Sequence, residues 1–266
     1  MPLYLAFFFA FCAYGSLGTG NVLMKKGIGW IGWKGPKNRD FFFSLLIWSL
    51  GFIIMNASGI FTALAVKRLT PEEASIFAGL GILIMIFLAK LMLGEPLYSS
   101  DTIGAILIVC SISLLGLFPH QKNIEIWSNP NGFILSAILL IPFFFLIMGL
   151  ISKTRAVFFF ALCSGQSSGI LVILLKILVA RHEYQISVYF SSVFLYLYVV
   201  FAILALISLQ MALKRGQLMI VGPLQYSSLI LYPAVSSQVL GIPLHFGQWP
   251  LFIGCAAGIW IIMRKR

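Results

Sequence analysis

The sequence predicts an all-α polytopic membrane protein of about nine transmembrane helices, built as two inverted four-helix repeats plus a connecting helix. Three observations carry that expectation: the composition, the length of the apolar runs, and an internal repeat whose copies start on opposite sides. Hydrophobic residues make up 61% of the chain and charged residues 9%, against about 25% charged in a soluble domain. In hydrocarbon, backbone N–H and C=O groups must pair within a helix or a closed barrel. The runs here are long and do not alternate, which selects helices.

Taken in order, helix 1 is expected over residues 2–24, a retained span because MPLYLAFFFAFCAYG lacks the basic start of a leader. Helices 2 and 3 follow over 41–66 and 71–93. The third opens on Thr70-Pro71-Glu72-Glu73: an N-cap, a proline at the first helical position and two acids against the positive dipole end. Helices 4 and 5 are expected over 99–118 and 131–151, and helices 6 to 9 over 156–180, 188–213, 218–240 and 248–263. Pro142 should interrupt helix 5, and Pro223 and Pro233 helix 8. The units are 1–118, the connecting segment 119–155, and 156–266.

Charge placement supports that count. With nine spans, one side collects Lys25, Lys26, Lys34, Lys37, Arg39, Lys153, Arg155, Lys214, Arg215, Arg264, Lys265 and Arg266. The other holds Lys67, Arg68, Lys122 and Arg181, while Lys90 and Lys176 lie inside spans near their ends. This bias puts the N-terminus outside and the C-terminus in the cytoplasm of an inner or plasma membrane. The net charge of +11 therefore reads as topology and implies no nucleic acid.

FFFAFCAYGSLGTGNVLMK from Phe7 aligns with FFFALCSGQSSGILVILLK from Phe158, pairing Cys12 with Cys163, Ser16 with Ser167 and Lys25 with Lys176. VKRL at Val66 aligns with LKRG at Leu213, and LGEPL at 93–97 with LGIPL at 240–244 at the same spacing. Helices 1 to 4 thus correspond to helices 6 to 9, and the odd helix between them inverts the second copy. Many secondary transporters are built this way.

No nucleotide, hydrolase or metalloprotease signature occurs, so no enzyme, catalytic residue or cofactor is expected. Cys12, Cys110, Cys163 and Cys255 lie in apolar runs without ligand spacing and read as packing residues. Asp40, Asp101, Glu125 and Glu183 are expected as solvated acids at helix starts or in loops, and no metal site is read. GTG at 18–20 reads as a packing or kink feature. Polar side chains at mid-depth are more informative, because an unpaired amide or hydroxyl in hydrocarbon costs several kcal/mol, about 2 to 7. Tyr14, Ser16, Asn56, Gln166, Ser167, Gln225 and Tyr226 are the candidate substrate-binding residues. Helix packing through serine is the competing reading. Glu95 and Lys176 are candidate gating residues: Glu95 sits at a membrane boundary, where its copy is Ile242, and could pair with Lys25, Lys26, Lys214 or Arg215.

TALAVKRLTPEEASIFAGLG, LMLGEPLYSSDTIGAILIV and AYGSLGTGNVLMKKG together resemble the EamA-type pattern of the drug/metabolite transporter superfamily. That resemblance implies a secondary transporter moving a small organic metabolite or drug-like solute by alternating access, with H⁺ or Na⁺ as open choices of coupling ion. The nine-helix layout is also similar to NIPA-type magnesium transporters, which makes divalent-cation transport the alternative. GFIIMN at 51–56, however, brings no acid to the centre. A third reading is a non-transporting membrane partner, with the Gly254 to Gly258 face against another protein. A homodimer in the lipid bilayer is compatible with each.

Overall fold

The computed structural model describes residues 2–28, 39–69, 74, 77–96, 98–115, 132–182, 190–239 and 246–264. They form α1 (Leu3–Gly27), α2 (Arg39–Ala65), α3 (Ala78–Leu93), α4 (Ser99–Leu115), α5 (Gly132–Ile151), α6 (Ala156–His182), α7 (Val193–Arg215), α8 (Leu218–Val239) and α9 (Trp249–Arg264). A 3-10 turn, Phe246–Gln248, precedes α9, and no strand occurs among the described residues. Helices α1, α2, α5, α6, α7 and α8 are long and apolar enough to cross a membrane. Helices α3, α4 and α9 have 16, 17 and 16 residues, about 24 to 26 Å at 1.5 Å per residue. The expected start of helix 3, with Pro71, Glu72 and Glu73, and the expected end of helix 4 lie outside the described residues.

Burial is inverted relative to a water-soluble fold. Phe42, Phe43, Ile53, Phe133, Phe144 and Ile203 face outward, whereas Asn21, Ser164, Ser167, Ser208 and Gln225 are buried. Water would not support so large an exposed apolar surface, and a bilayer does. This is the architecture of a polytopic membrane protein.

Small residues set the packing, because helices in lipid associate through close contact rather than exclusion from water. Helix α1 runs antiparallel along α2: Gly27 faces Ser44 and Trp48, Gly20 faces Gly51 and Met55, and Ala6 and Ala10 cluster with Ala65 and Val66. A Cβ on Gly18 would sit 2.6 Å from the Gly81 carbonyl oxygen of α3, so the GTG segment is a packing device. Helix α6 contacts α7 and α8 in the same manner, and a Cβ on Gly165 would sit 2.1 Å from the Gln225 carbonyl oxygen. Helix α5 packs on α6, α3 touches α8, and α4 pairs with α9. In that last pair Gly254 faces Ser111, and Gly258 faces Gly104 and Ile108. The Gly254 to Gly258 face is therefore filled from within the chain.

Helices α5 and α8 run unbroken through Pro142, Pro223 and Pro233, in contrast to the interruptions expected. Proline lacks an N–H and frees the carbonyl four residues earlier. For Pro142 that carbonyl belongs to Ile138, and the Tyr232 hydroxyl of α8 donates to it. Tyr232→Phe should cost about 1 to 3 kcal/mol by leaving that carbonyl unpaired. The measurement is thermal unfolding of the purified protein in detergent; an unchanged midpoint would mean that the hydroxyl does not support α5.

Asp101 departs from its expectation as a solvated acid. It is buried in the first turn of α4, and its Oδ2 accepts the Tyr98 N–H at 3.0 Å. A carboxylate three positions into a helix can reach back to the capping residue's N–H, and here that reach takes it out of solvent.

Candidate functional site

The two ends of the helix assembly are each marked by a lysine. At one end Lys25, in the last turn of α1, donates to the carbonyl oxygens of Leu213 and of Gly216, the latter at 2.7 Å. The last carbonyls of a helix have no intrahelical N–H, and a cation is favourable at the negative end of the dipole. Beside it, Gly94 ends α3 with φ 65, the left-handed geometry that glycine adopts without a Cβ clash. That turn aims Glu95 at the start of α8, where its two carboxylate oxygens accept the Leu218 and Met219 N–H groups at 3.0 Å each. Lys25 thus caps the end of α7 and Glu95 the beginning of α8, on either side of the Gly216-Gln217 junction. Glu95 engages backbone N–H groups where a basic side chain was expected as partner, and Lys25 lies within electrostatic reach of it.

At the opposite end Lys176 of α6 donates to the carbonyl oxygens of Val66 at 3.0 Å and Leu69 at 3.2 Å, where α2 has just ended.

Between these ends lies a partly open cavity of about 150 Å³ lined by α1, α2, α6, α7 and α8. Its polar lining comes from Tyr14, Asn56, Ser58, Thr62, Ser164, Ser168, Tyr198 and Gln225. The apolar walls include Leu171, Val172, Leu175, Leu206, Leu209 and Leu229. The cavity reaches toward the Lys176 end: Leu175 adjoins Lys176, Thr62 is in the last turn of α2, and Tyr198 is in the second turn of α7. Gly59 leaves room for the tyrosine, since a Cβ there would sit 3.3 Å from the Tyr198 hydroxyl.

Toward the Lys25 end the space is sealed by polar links. Asn21 Nδ2 donates to Gln225 Oε1 at 3.0 Å, joining α1 to α8. Trp48 Nε1 donates to Gln210 Oε1 at 3.0 Å, and Gln210 Nε2 contacts Met24 Sδ at 3.3 Å, joining α2, α7 and α1. The Lys25 and Glu95 contacts lie beyond these. The two ends are therefore unlike: several links between the first and last four helices close one of them, and the cavity extends toward the other.

The chain matches no family model, no curated protein and no solved structure.

Of the residues expected to bind substrate, Tyr14, Asn56 and Gln225 line the cavity, and Ser16, Gln166, Ser167 and Tyr226 do not. Tyr226 is fully buried where α1, α3 and α8 meet, and a Cβ on Gly81 would lie 2.8 Å from both its ring and the Tyr14 carbonyl oxygen. The Tyr14 and Tyr226 hydroxyls, Asn21 Oδ1, Ser164 Oγ and Gln166 Oε1 are buried without a hydrogen-bond partner among the described residues. Lys90 is exposed at the end of α3, consistent with a stem that carries its ammonium outward. Asn21 and Gln210 were not singled out from the sequence. Asn21 had a signal: Tyr14, Asn21 and Lys25, at spacings of seven and four, share one face of α1.

Proposed function

We propose that the chain is a secondary transporter that moves a small organic solute by alternating access between two inverted four-helix units, 1–118 and 156–266. The observation that carries this reading is the reciprocity of the two lysine contacts. The sequence self-alignment sets Lys25 against Lys176, Val66 against Leu213 and Leu69 against Gly216. Lys25 holds Leu213 and Gly216, and Lys176 holds Val66 and Leu69. Each copy's lysine caps the other copy's helix at the aligned residues. The helix pairs exchange in the same way: α1 with α2 and α3 corresponds to α6 with α7 and α8, while α3–α8 and α4–α9 map onto themselves.

Two units related in this way can exchange roles, which gives two conformations of related geometry, one open at each end, with the solute site between them. Basic residues gather at the Lys25 end, with Lys25, Lys26, Lys214 and Arg215 closing α1 and α7, so that end is assigned to the cytoplasm. The drug/metabolite transporter resemblance points the same way. Among the described residues the cavity lining holds no carboxylate, which favours an organic solute over a divalent cation.

The test is flux into proteoliposomes containing the full chain. A labelled-metabolite screen should give saturable uptake that Glu95→Ala reduces. Mg²⁺ flux without flux of any organic solute would overturn the reading.

A further inference from the structure

The cavity's chemistry narrows what it can hold, a step that rests on the transport reading and on this cavity being the solute site. We propose that the solute is an uncharged, single-ring-sized molecule carrying one amide-like group that both donates and accepts hydrogen bonds. A cavity of about 150 Å³ is the size that admits one benzene ring. Among the described residues, no Asp, Glu, Lys or Arg lines it. Lys25 lies beyond the Asn21–Gln225 link with its ammonium on backbone carbonyls. A charged solute would enter unpaired, at a cost far above that of a neutral one.

The polar groups on offer are of matching kinds. Asn56 Nδ2 donates one of its two hydrogens to the Phe52 carbonyl oxygen at 2.7 Å, which leaves its amide oxygen as an acceptor beside one remaining N–H. Gln225 Oε1 is committed to Asn21, which leaves its NH₂ as a donor. The Tyr198 hydroxyl, beside Gly59 and so one turn from Asn56 on α2, can do either. The apolar ring would lie against Leu171, Leu206 and Leu229.

Three near-isosteric probes test this: benzamide, benzoate and benzylamine, titrated against the purified full-chain protein in nanodiscs by thermal shift. Benzamide should bind, and benzoate and benzylamine should bind at least tenfold more weakly. Tyr198→Phe and Asn56→Ala, each removing one polar group, should each weaken benzamide about tenfold while leaving the unliganded melting midpoint near that of the parent. Equal binding of either ion overturns neutrality. Benzamide binding that both variants leave unchanged overturns the site, as does the absence of binding by all three probes. Benzamide binding without benzamide flux in proteoliposomes supports the site and counts against the transport reading alone.

Discussion

Replacing Glu95 with alanine should open the Lys25 end of the molecule. Its carboxylate satisfies the Leu218 and Met219 N–H groups at the start of α8, and hydrogen bonds to a charged group are worth about 1.5 to 3 kcal/mol each. The N-terminal dipole adds to this. These contacts tie α3 to α8, so in the proposed transport cycle they stabilise the state in which that end is closed. Losing the equivalent of even one such bond, about 1.5 to 3 kcal/mol, shifts the closed-to-open ratio by roughly 10- to 150-fold. The reporter is a cysteine at buried Val221, in a chain whose native cysteines are replaced by alanine, labelled by an impermeant maleimide from the Lys25 side. Labelling should accelerate strongly with Glu95→Ala and to an intermediate degree with Glu95→Gln, which keeps one acceptor and loses the charge. A lower melting midpoint with unchanged labelling would reduce Glu95 to a helix cap.

The acid's placement also explains an asymmetry in the sequence. In the repeat register Glu95 corresponds to Ile242, and Leu218-Met219 to Pro71-Glu72. At those positions the sequence has a proline, which carries no N–H, followed by two acids, Glu72 and Glu73. The sequence thus sets no pair of uncharged N–H donors opposite position 242. The first copy's target helix begins with Leu218-Met219-Ile220, which supplies two N–H groups and no charge. The acid must come from elsewhere in the chain, and LGEPL delivers it.

Fold class was legible because it depends on composition and run length, which tertiary contacts do not alter: every helix expected has a counterpart at nearly its expected place. Partnership was less so. Tyr14, Asn56 and Gln225 were found by asking which bulky polar groups lie at mid-depth, and they do line the cavity. The same rule also selected Ser167 and Tyr226, because depth along a helix does not tell which way a side chain points. Asn21 and Gln210 escaped because their roles are defined by partners about 200 and 160 residues away in sequence, Gln225 and Trp48. The prolines are a related case: at Pro142 the carbonyl freed in α5 accepts from a hydroxyl supplied by α8, a partner far away in sequence.

The largest test of the symmetry itself is a pair of opposite shifts. Lys25→Met and Lys176→Met remove chemically equivalent contacts, each between an ammonium and the terminal carbonyls of a helix in the other unit. If the two units exchange roles, the first substitution should favour opening at the Lys25 end and the second at the Lys176 end. A contact worth about 2 kcal/mol moves the population roughly 30-fold. Cysteines at Val221 and at cavity-lining Leu175 report the two ends, and each single variant should raise labelling at its own end and lower it at the other. The double variant removes both biases, so its labelling ratio should return near the parent's even though its melting midpoint is the lowest of the four. Additive loss of stability with no reciprocal change in labelling would mean that the lysines are helix caps and nothing more. Shifts of both singles toward the same end would break the equivalence on which alternating access between the units depends.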